Sequence, residues 1–217
     1  MPAKVSRAIT KAPADSTNGS DQVGKTLMRS LQQAQPATLS TVFTQVLRTA
    51  IHPDTWKSAI VVPIPKANKR TYDHPKSWRC LHLLSVVSKT LERVVLERLQ
   101  DQGEDLGTLG DDQFGSRRDT GTSDAMMAIE DWKAHASLTG PYAIILADVE
   151  GGFDKVNPDR LGDTNLAQEY IPWIQNWCRN RSIVTRIDGR TDTSTYILNQ
   201  GIAQGSPLSP YLFGAYI

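Results

Sequence analysis

The sequence predicts a mixed α+β domain. Helical apolar stripes occur at 37–50 and 85–100, and an unbroken apolar run at 143–149 reads as a strand. A third observation is a pair of β-type segments around Asp188-Gly189, with no repeated βαβ unit anywhere. The 217 residues can build one good-sized core, or one domain plus a tail.

Residues 1–35 are rich in Ala, Ser, Thr, Gln, Asp and Gly and are expected to be flexible, above all the loop 11–22. In 37–50, Leu39, Val42, Phe43, Val46 and Leu47 form one helical face, and Pro53 lies just beyond. AIVVPIP (59–65) is a short β-type segment closed by prolines, followed by a loop at 66–78. In 85–100, Val87, Leu91, Val94, Val95 and Leu99 make a stripe that Ser85 can cap, with Gly103 just past the end.

Another helix is expected from about Ser123 to His135, with Met126, Ile129 and Trp132 inward. AIILADV (143–149) is apolar without alternation between glycine-containing flanks, as for a central strand in a small antiparallel sheet. A helix covers part of 168–179, and strands at 182–187 and 193–199 follow. A last helix starts at Ser209 as a cap with Pro210 at its first position, and Leu212, Phe213 and Tyr216 have little chain to cover them. That predicts exposed apolar surface and aggregation.

The composition is that of an ordinary globular protein, and a net charge of +1 does not announce a nucleic-acid binder. The distribution is more informative. Residues 56–99 hold nine Lys or Arg against three acids, and residues 100–131 hold nine acids against two Arg. Such a boundary can localise a nucleic-acid contact, or be ordinary solvated surface. Cys80 and Cys178 sit in apolar surroundings and read as two buried thiols; with four scattered His they make no zinc spacing. No membrane span or signal peptide is recognisable, so an intracellular protein is expected, nuclear or cytoplasmic alike.

Asp148 ends the apolar run, where a strand can hold a carboxylate rigidly in a cleft. Nucleotidyl transfer needs such groups, because two divalent ions about 3.5–4 Å apart are held by carboxylates. The same aspartate could instead cap a turn or pair with a lysine. Phe153 could pack under the strand, or stand as a wall beside a nucleotide sugar and exclude a 2′-hydroxyl. In GIAQGSPLSP (201–210), glycines allow close backbone approach, and Gln204 could bond a nucleotide or a backbone group. The segment alone reads equally as a turn and helix cap. Lys66, Lys69, Arg70 and Arg79 supply positive charge for a triphosphate, or line a solvated loop. Gln113 and Arg117 could meet a template backbone, or tie their own loop down.

Read together, five segments carry a resemblance. They are TWKSAIVVPIPKANKR, SWRCLHLLSVVSKTLERVVLERL, DQFGSRRDTGTSDA, ILADVEGGFDKV and NQGIAQGSPLSPYLF. Their order resembles that of non-LTR (LINE-like) retrotransposon reverse transcriptases, most of all the fungal type, over about residues 37–217. The resemblance implies a right-hand polymerase fold, with fingers over 36–139 and an incomplete palm over 140–217. It places Asp148 at the first catalytic, metal-binding aspartate and Phe153 at the sugar gate. Gln204 and Gly205 fall in the nucleotide pocket, Arg79 at the triphosphate-contacting arginine, and Lys66 in the lysine-bearing fingers segment. It also implies Mg2+, dNTPs, an RNA template and a DNA primer; it implies nothing of oligomeric state.

The chain departs from that pattern. Arg79-Cys80-Leu81 stands for Arg-Pro-Ile, Gly152-Phe153-Asp154 for Ala-Phe-Asp, and Ala203 for a proline. The family's next motif, a hairpin with two adjacent aspartates, has no counterpart after Phe213, nor has the thumb. The expectation is a polymerase domain, truncated before that motif and inactive as this isolated chain. Two alternatives stay open: a non-catalytic RNA- or DNA-binding remnant, and a decayed element product without cellular function.

Overall fold

The computed structural model describes residues 1–11 and 17–217, the side chains of 137–139 excepted. Helices α1 (Pro2–Lys11), α2 (Lys25–Ala34) and α3 (Pro36–Thr49) open the chain, followed by the single turn α4 (Asp54–Lys57). Strands β1 (Ala59–Pro65) and β2 (Trp78–Leu84) lead into α5 (Val86–Gly103) and α6 (Thr122–Thr139). After a long irregular stretch come α7 (Ile171–Cys178), β3 (Arg181–Ile187), β4 (Arg190–Thr191), β5 (Tyr196–Leu198) and α8 (Ser209–Tyr216).

Residues 1–35 are not uniformly flexible. α1 buries Val5, Ala8 and Ile9, and α2 buries Met28, all in the main core. So few apolar residues suffice because α1 packs on α3 and α5, and α2 on α1 and α3, which supply the rest of the surface. Gly19 runs so close to the Leu84–Ser85 backbone that a Cβ there would lie 2.6 Å from the Ser85 nitrogen. Of the expected loop 11–22, residues 12–16 lie outside the described residues.

α3 buries Leu39, Phe43 and Val46, while Val42 is exposed. α5 follows its stripe: Leu91, Val94, Val95 and Leu99 are buried, and Ser85 Oγ accepts from the Ser88 N–H at 3.3 Å. α5 includes Gly103 as its last residue instead of ending before it.

The sheet is mixed, with the order β2-β1-β3-β4, and β5 also pairs with β3. β1 pairs antiparallel with β2 (Val61 opposite His82) and parallel with β3 (Ala59 opposite Ile183). The turn between β3 and β4 places Asp188 at φ 49° and Gly189 at φ 78°, as a tight hairpin requires. β2 falls partly where a loop was expected. WRCLHLL has only moderate strand propensity, and pairing with β1 decides it.

Five expectations fail here. Residues 143–149 form no strand: none of 142–149 has a sheet partner, and Ile145 and Leu146 are 89% and 92% exposed. A buried central strand needs a neighbour on each side, and β1 and β3 already neighbour each other. α6 forms, but Met126 and Trp132 are exposed and Ile129 is only half-buried, so the helix lacks the inward face expected of it. Helix α8 is covered, with Tyr211 and Leu212 buried against the main core. Ser209 does not cap it; its hydroxyl donates to the Ala203 carbonyl at 2.9 Å. Cys178 is buried, and burial pushes its thiol up to about 12, whereas Cys80 on β2 is exposed.

Candidate functional site

The segment carrying Phe153 and the Gln204-Gly205 turn meet. The Ile202 N–H donates to the Phe153 carbonyl at 2.9 Å, and the Gly201 N–H donates to the Val156 carbonyl at 2.8 Å. Gly201 has φ 79°, and a Cβ there would lie 2.9 Å from the Asp154 carbonyl oxygen. Only glycine takes both the left-handed backbone and that approach without strain. The Phe153 ring is half-buried against Phe213 of α8, centroids 5.4 Å apart.

The turn also closes on β2. The His82 N–H donates to the Gln204 carbonyl at 3.0 Å. Gly205 has φ 112°, and a Cβ there would lie 2.8 Å from the His82 carbonyl oxygen. Arg79 lies three residues before His82 on the same strand, with its side chain exposed. Burial, aided by the Arg181 charge, lowers His82 to about 4. His82 is therefore neutral near pH 7. The Gln204 side chain is half-buried.

Asp148 is exposed on an irregular stretch, five residues before Phe153. The neighbouring Glu150 pairs with Lys76 at 2.6 Å, which ties the stretch to the loop after β1. That hydrogen bond and ion pair hold the Glu150 carboxyl below its usual range and the Lys76 ammonium above its own. Lys66 Nζ donates to the Lys76 carbonyl at 3.0 Å, so Lys66 braces the same loop.

Gln113 and Arg117 are engaged within the chain. Both Nε and Nη2 of Arg117 reach the Glu104 carboxylate at 2.9 Å, and Nη1 reaches the Gly110 and Asp111 carbonyls at 3.2 Å. The Gln113 amide donates to the Gly115 carbonyl at 3.3 Å.

Reverse transcriptases as a family generally use divalent metal ions. Among the described residues, no group of three His, Cys, Asp or Glu could hold one. Asp148 by itself is one exposed carboxylate, and the residues present do not make a two-ion site. Among the described residues, no helix is long and apolar enough to cross a membrane.

Sequence reasoning missed a buried polar cluster behind the turn. Glu92 of α5 is 0% exposed and accepts from Ser88, Trp177 and Ser206. A signal was present, because Ser88 and Glu92 put a polar pair four residues apart inside the apolar stripe. Arg181, at the start of β3, is buried over the Trp177 ring, and its Nε and Nη1 lack hydrogen-bond partners.

The family model described as "Reverse transcriptase (RNA-dependent DNA polymerase)" matches residues 64–217. The "Probable RNA-directed DNA polymerase from transposon BS" of Drosophila melanogaster is 25% identical over 98% of this chain and 24% of its own length. The "RNA-directed DNA polymerase from mobile element jockey" of the same fly is 27% identical, again over 98% of this chain and 24% of that protein. The "Retrovirus-related Pol polyprotein from type-1 retrotransposable element R2" of Popillia japonica is 25% identical over 76% of this chain and 23% of its own. The chain thus spans about a quarter of the length of these relatives. BS and jockey are non-LTR elements from an insect, and the fungal likeness remains an expectation. The chain belongs to the reverse transcriptase (RNA-dependent DNA polymerase) family.

Proposed function

We propose that this chain is the nucleotide-seating part of an RNA-directed DNA polymerase of the non-LTR retrotransposon type, with fingers over 36–139 and the first part of the palm over 140–217. One observation carries the reading. The Gln204-Gly205 turn is hydrogen-bonded to the Phe153 segment on one side and to β2, the strand of Arg79, on the other. On this reading the Gln204 amide, the Phe153 ring and the Arg79 guanidinium are the polar, aromatic and cationic groups that would receive a deoxynucleotide. Arg79 would meet the triphosphate, with Lys66 behind it. Phe153 would crowd a 2′-hydroxyl, and Gln204 with Gly205 would shape the pocket for base and sugar. Template and primer would be RNA and DNA.

Asp148 would supply one ligand to Mg2+. A second and third carboxylate are needed before two ions are held, so these residues alone bind dNTPs without extending a primer. The test is titration with Mg2+-dTTP and Mg2+-UTP, beside primer extension on an RNA template. Preference for dTTP, reduced about tenfold or more by Arg79→Ala and relaxed toward UTP by Phe153→Ala, supports the reading. Equal weak binding of both nucleotides, unaltered by either substitution, would reject it. Primer extension by these residues would overturn the inactivity.

A second reading is non-catalytic RNA binding. A groove between α1 and α5 is lined by Lys4, Arg7, Lys11, Arg93 and Arg118 against Glu97, Asp101 and Asp119. Most of its basic side chains are already paired: Lys4 and Arg118 with Asp101, and Arg7 with Glu97. Affinity for RNA that falls steeply with salt, in a chain that binds no dNTP, would favour this reading.

A further inference from the structure

Among the described residues, Glu92 is the buried acid, and it sits on α5, thirteen positions beyond Arg79 and outside the Gln204-Gly205 turn itself. Ser88 Oγ donates to its Oε1 at 2.6 Å, and Trp177 Nε1 donates to the same oxygen at 3.2 Å. Ser206 Oγ donates to Oε2 at 2.6 Å and accepts from the Leu208 N–H at 3.0 Å. Ser206 immediately follows Gly205, and Leu208 immediately precedes α8.

The donor pattern has one consistent assignment. Ser88 gives its proton to Glu92, so it accepts from His52 Nε2, 3.0 Å away. His52 is buried and neutral, with burial and the Lys57 charge lowering it to about 3. The proton therefore sits on Nε2, and Nδ1, which has no partner, is the bare nitrogen. The bonds from His52 through Ser88, from Leu208 through Ser206, and from Trp177 all run toward the Glu92 oxygens. A buried carboxylate satisfied in this way is rigid, because moving it leaves several donors unpaired.

The geometry points to Glu92 as a positioning residue that acts through Ser206 to hold the Gln204-Gly205 turn against β2. The turn is then clamped from two sides. Behind it, Ser206 and Ser209 fasten it to Glu92 and to the Ala203 carbonyl. In front, the Gln204 carbonyl receives the His82 N–H. Without the rear anchor, the turn parts from β2 more often, so the His82 N–H to Gln204 carbonyl bond opens and the Gln204 side chain loses its fixed direction. The consequence for a nucleotide rests on the reading of Gln204 and Gly205 as its pocket; the anchoring itself does not.

The experiment is residue-resolved amide hydrogen exchange on the whole chain and on Ser206→Ala, Ser206→Thr and Glu92→Gln, with Mg2+-dTTP titration of each. Ser206→Ala should speed exchange at His82 and Leu208 at least tenfold, and Ser206→Thr should restore it. The amides of Ile60 in β1 and Val95 in α5 should keep their rates. Equal acceleration at all four positions, or an unchanged His82, overturns the anchor. Should Ser206→Ala fail to fold, Glu92→Gln carries the same comparison, since it keeps the side-chain size and removes one acceptor.

Where the parent binds dTTP, Ser206→Ala should weaken binding about tenfold and Ser206→Thr should recover it. Unchanged binding beside accelerated His82 exchange overturns the link from anchor to pocket. A parent that binds no dTTP rejects the nucleotide reading, and the exchange rates still decide the anchor.

Discussion

Gly201 and Gly152 show how much of this site is decided by single atoms. Gly201 needs a left-handed backbone against the Asp154 carbonyl, so Gly201→Ala should lower stability by roughly 1–3 kcal/mol, read from the urea midpoint. Gly152 is different, because its backbone is unremarkable and only space is short. A Cβ there would lie 2.7 Å from Phe213 Cζ, so Gly152→Ala should displace the Phe213 ring and cost about 1–3 kcal/mol. Phe213→Leu in the same chain should recover part of that loss. The chain's departure from the alanine implied by the resemblance is thus matched to its own Phe153–Phe213 packing.

His52 adds a pH response at the same scale. Its folded pKa, about 3, lies below its unfolded value near 6.5, because the ring is buried among Trp56, Trp173 and Ser88 with Lys57 nearby. Above pH 6.5 both states are neutral there and the stability is fully present. As pH falls toward 3, only the unfolded chain takes up the proton, so stability is lost over that window, on the order of a few kcal/mol. His82, lowered to about 4, acts in the same direction over pH 6.5 to 4. His52→Gln, which can still donate to Ser88 and cannot titrate, should move the acid-unfolding midpoint to lower pH. An unchanged midpoint would contradict the neutral, buried ring.

At the scale of elements, the stretch 142–149 is the main surprise. Its composition is that of a buried strand, but Ile144, Ile145, Leu146 and Val149 are exposed. Ile145→Lys and Leu146→Lys should therefore leave the urea midpoint within about 0.5 kcal/mol of the parent. A loss above about 2 kcal/mol would mean that the stretch is packed in solution. α5 teaches the opposite lesson. Its stripe was legible in the sequence because apolar period and burial coincide, and Ser85 caps it as expected. α1 and α2 were not legible, since their few apolar residues become a core only beside α3 and α5.

At the scale of the whole molecule, the exposed apolar surface is not where the sequence suggested. Helix α8 is packed into the core, and the uncovered side chains lie instead at Met126, Met127, Trp132, Tyr142 and Ile144–Leu146. A surface of this kind promotes self-association. Light scattering should rise with concentration, and Trp132→Lys combined with Leu146→Lys should suppress the rise without changing the unfolding midpoint. Variants at Phe213 or Tyr216 would suppress it instead if α8 were the exposed element.

The sequence by itself determined the family and most of the local elements. Motif order, helical period, turn chemistry at Asp188-Gly189 and the glycines around Gln204 are properties of neighbouring residues and can be read along the chain. The tertiary structure alone decided which elements meet. It paired β1 with β3 in parallel, brought the Gln204 turn between Phe153 and β2, and left Asp148 exposed on an irregular stretch instead of at a strand end. It also drew Ser206, more than a hundred positions away in the chain, onto Glu92. Such contacts depend on burial and hydrogen-bond satisfaction between distant residues, and no local period encodes them.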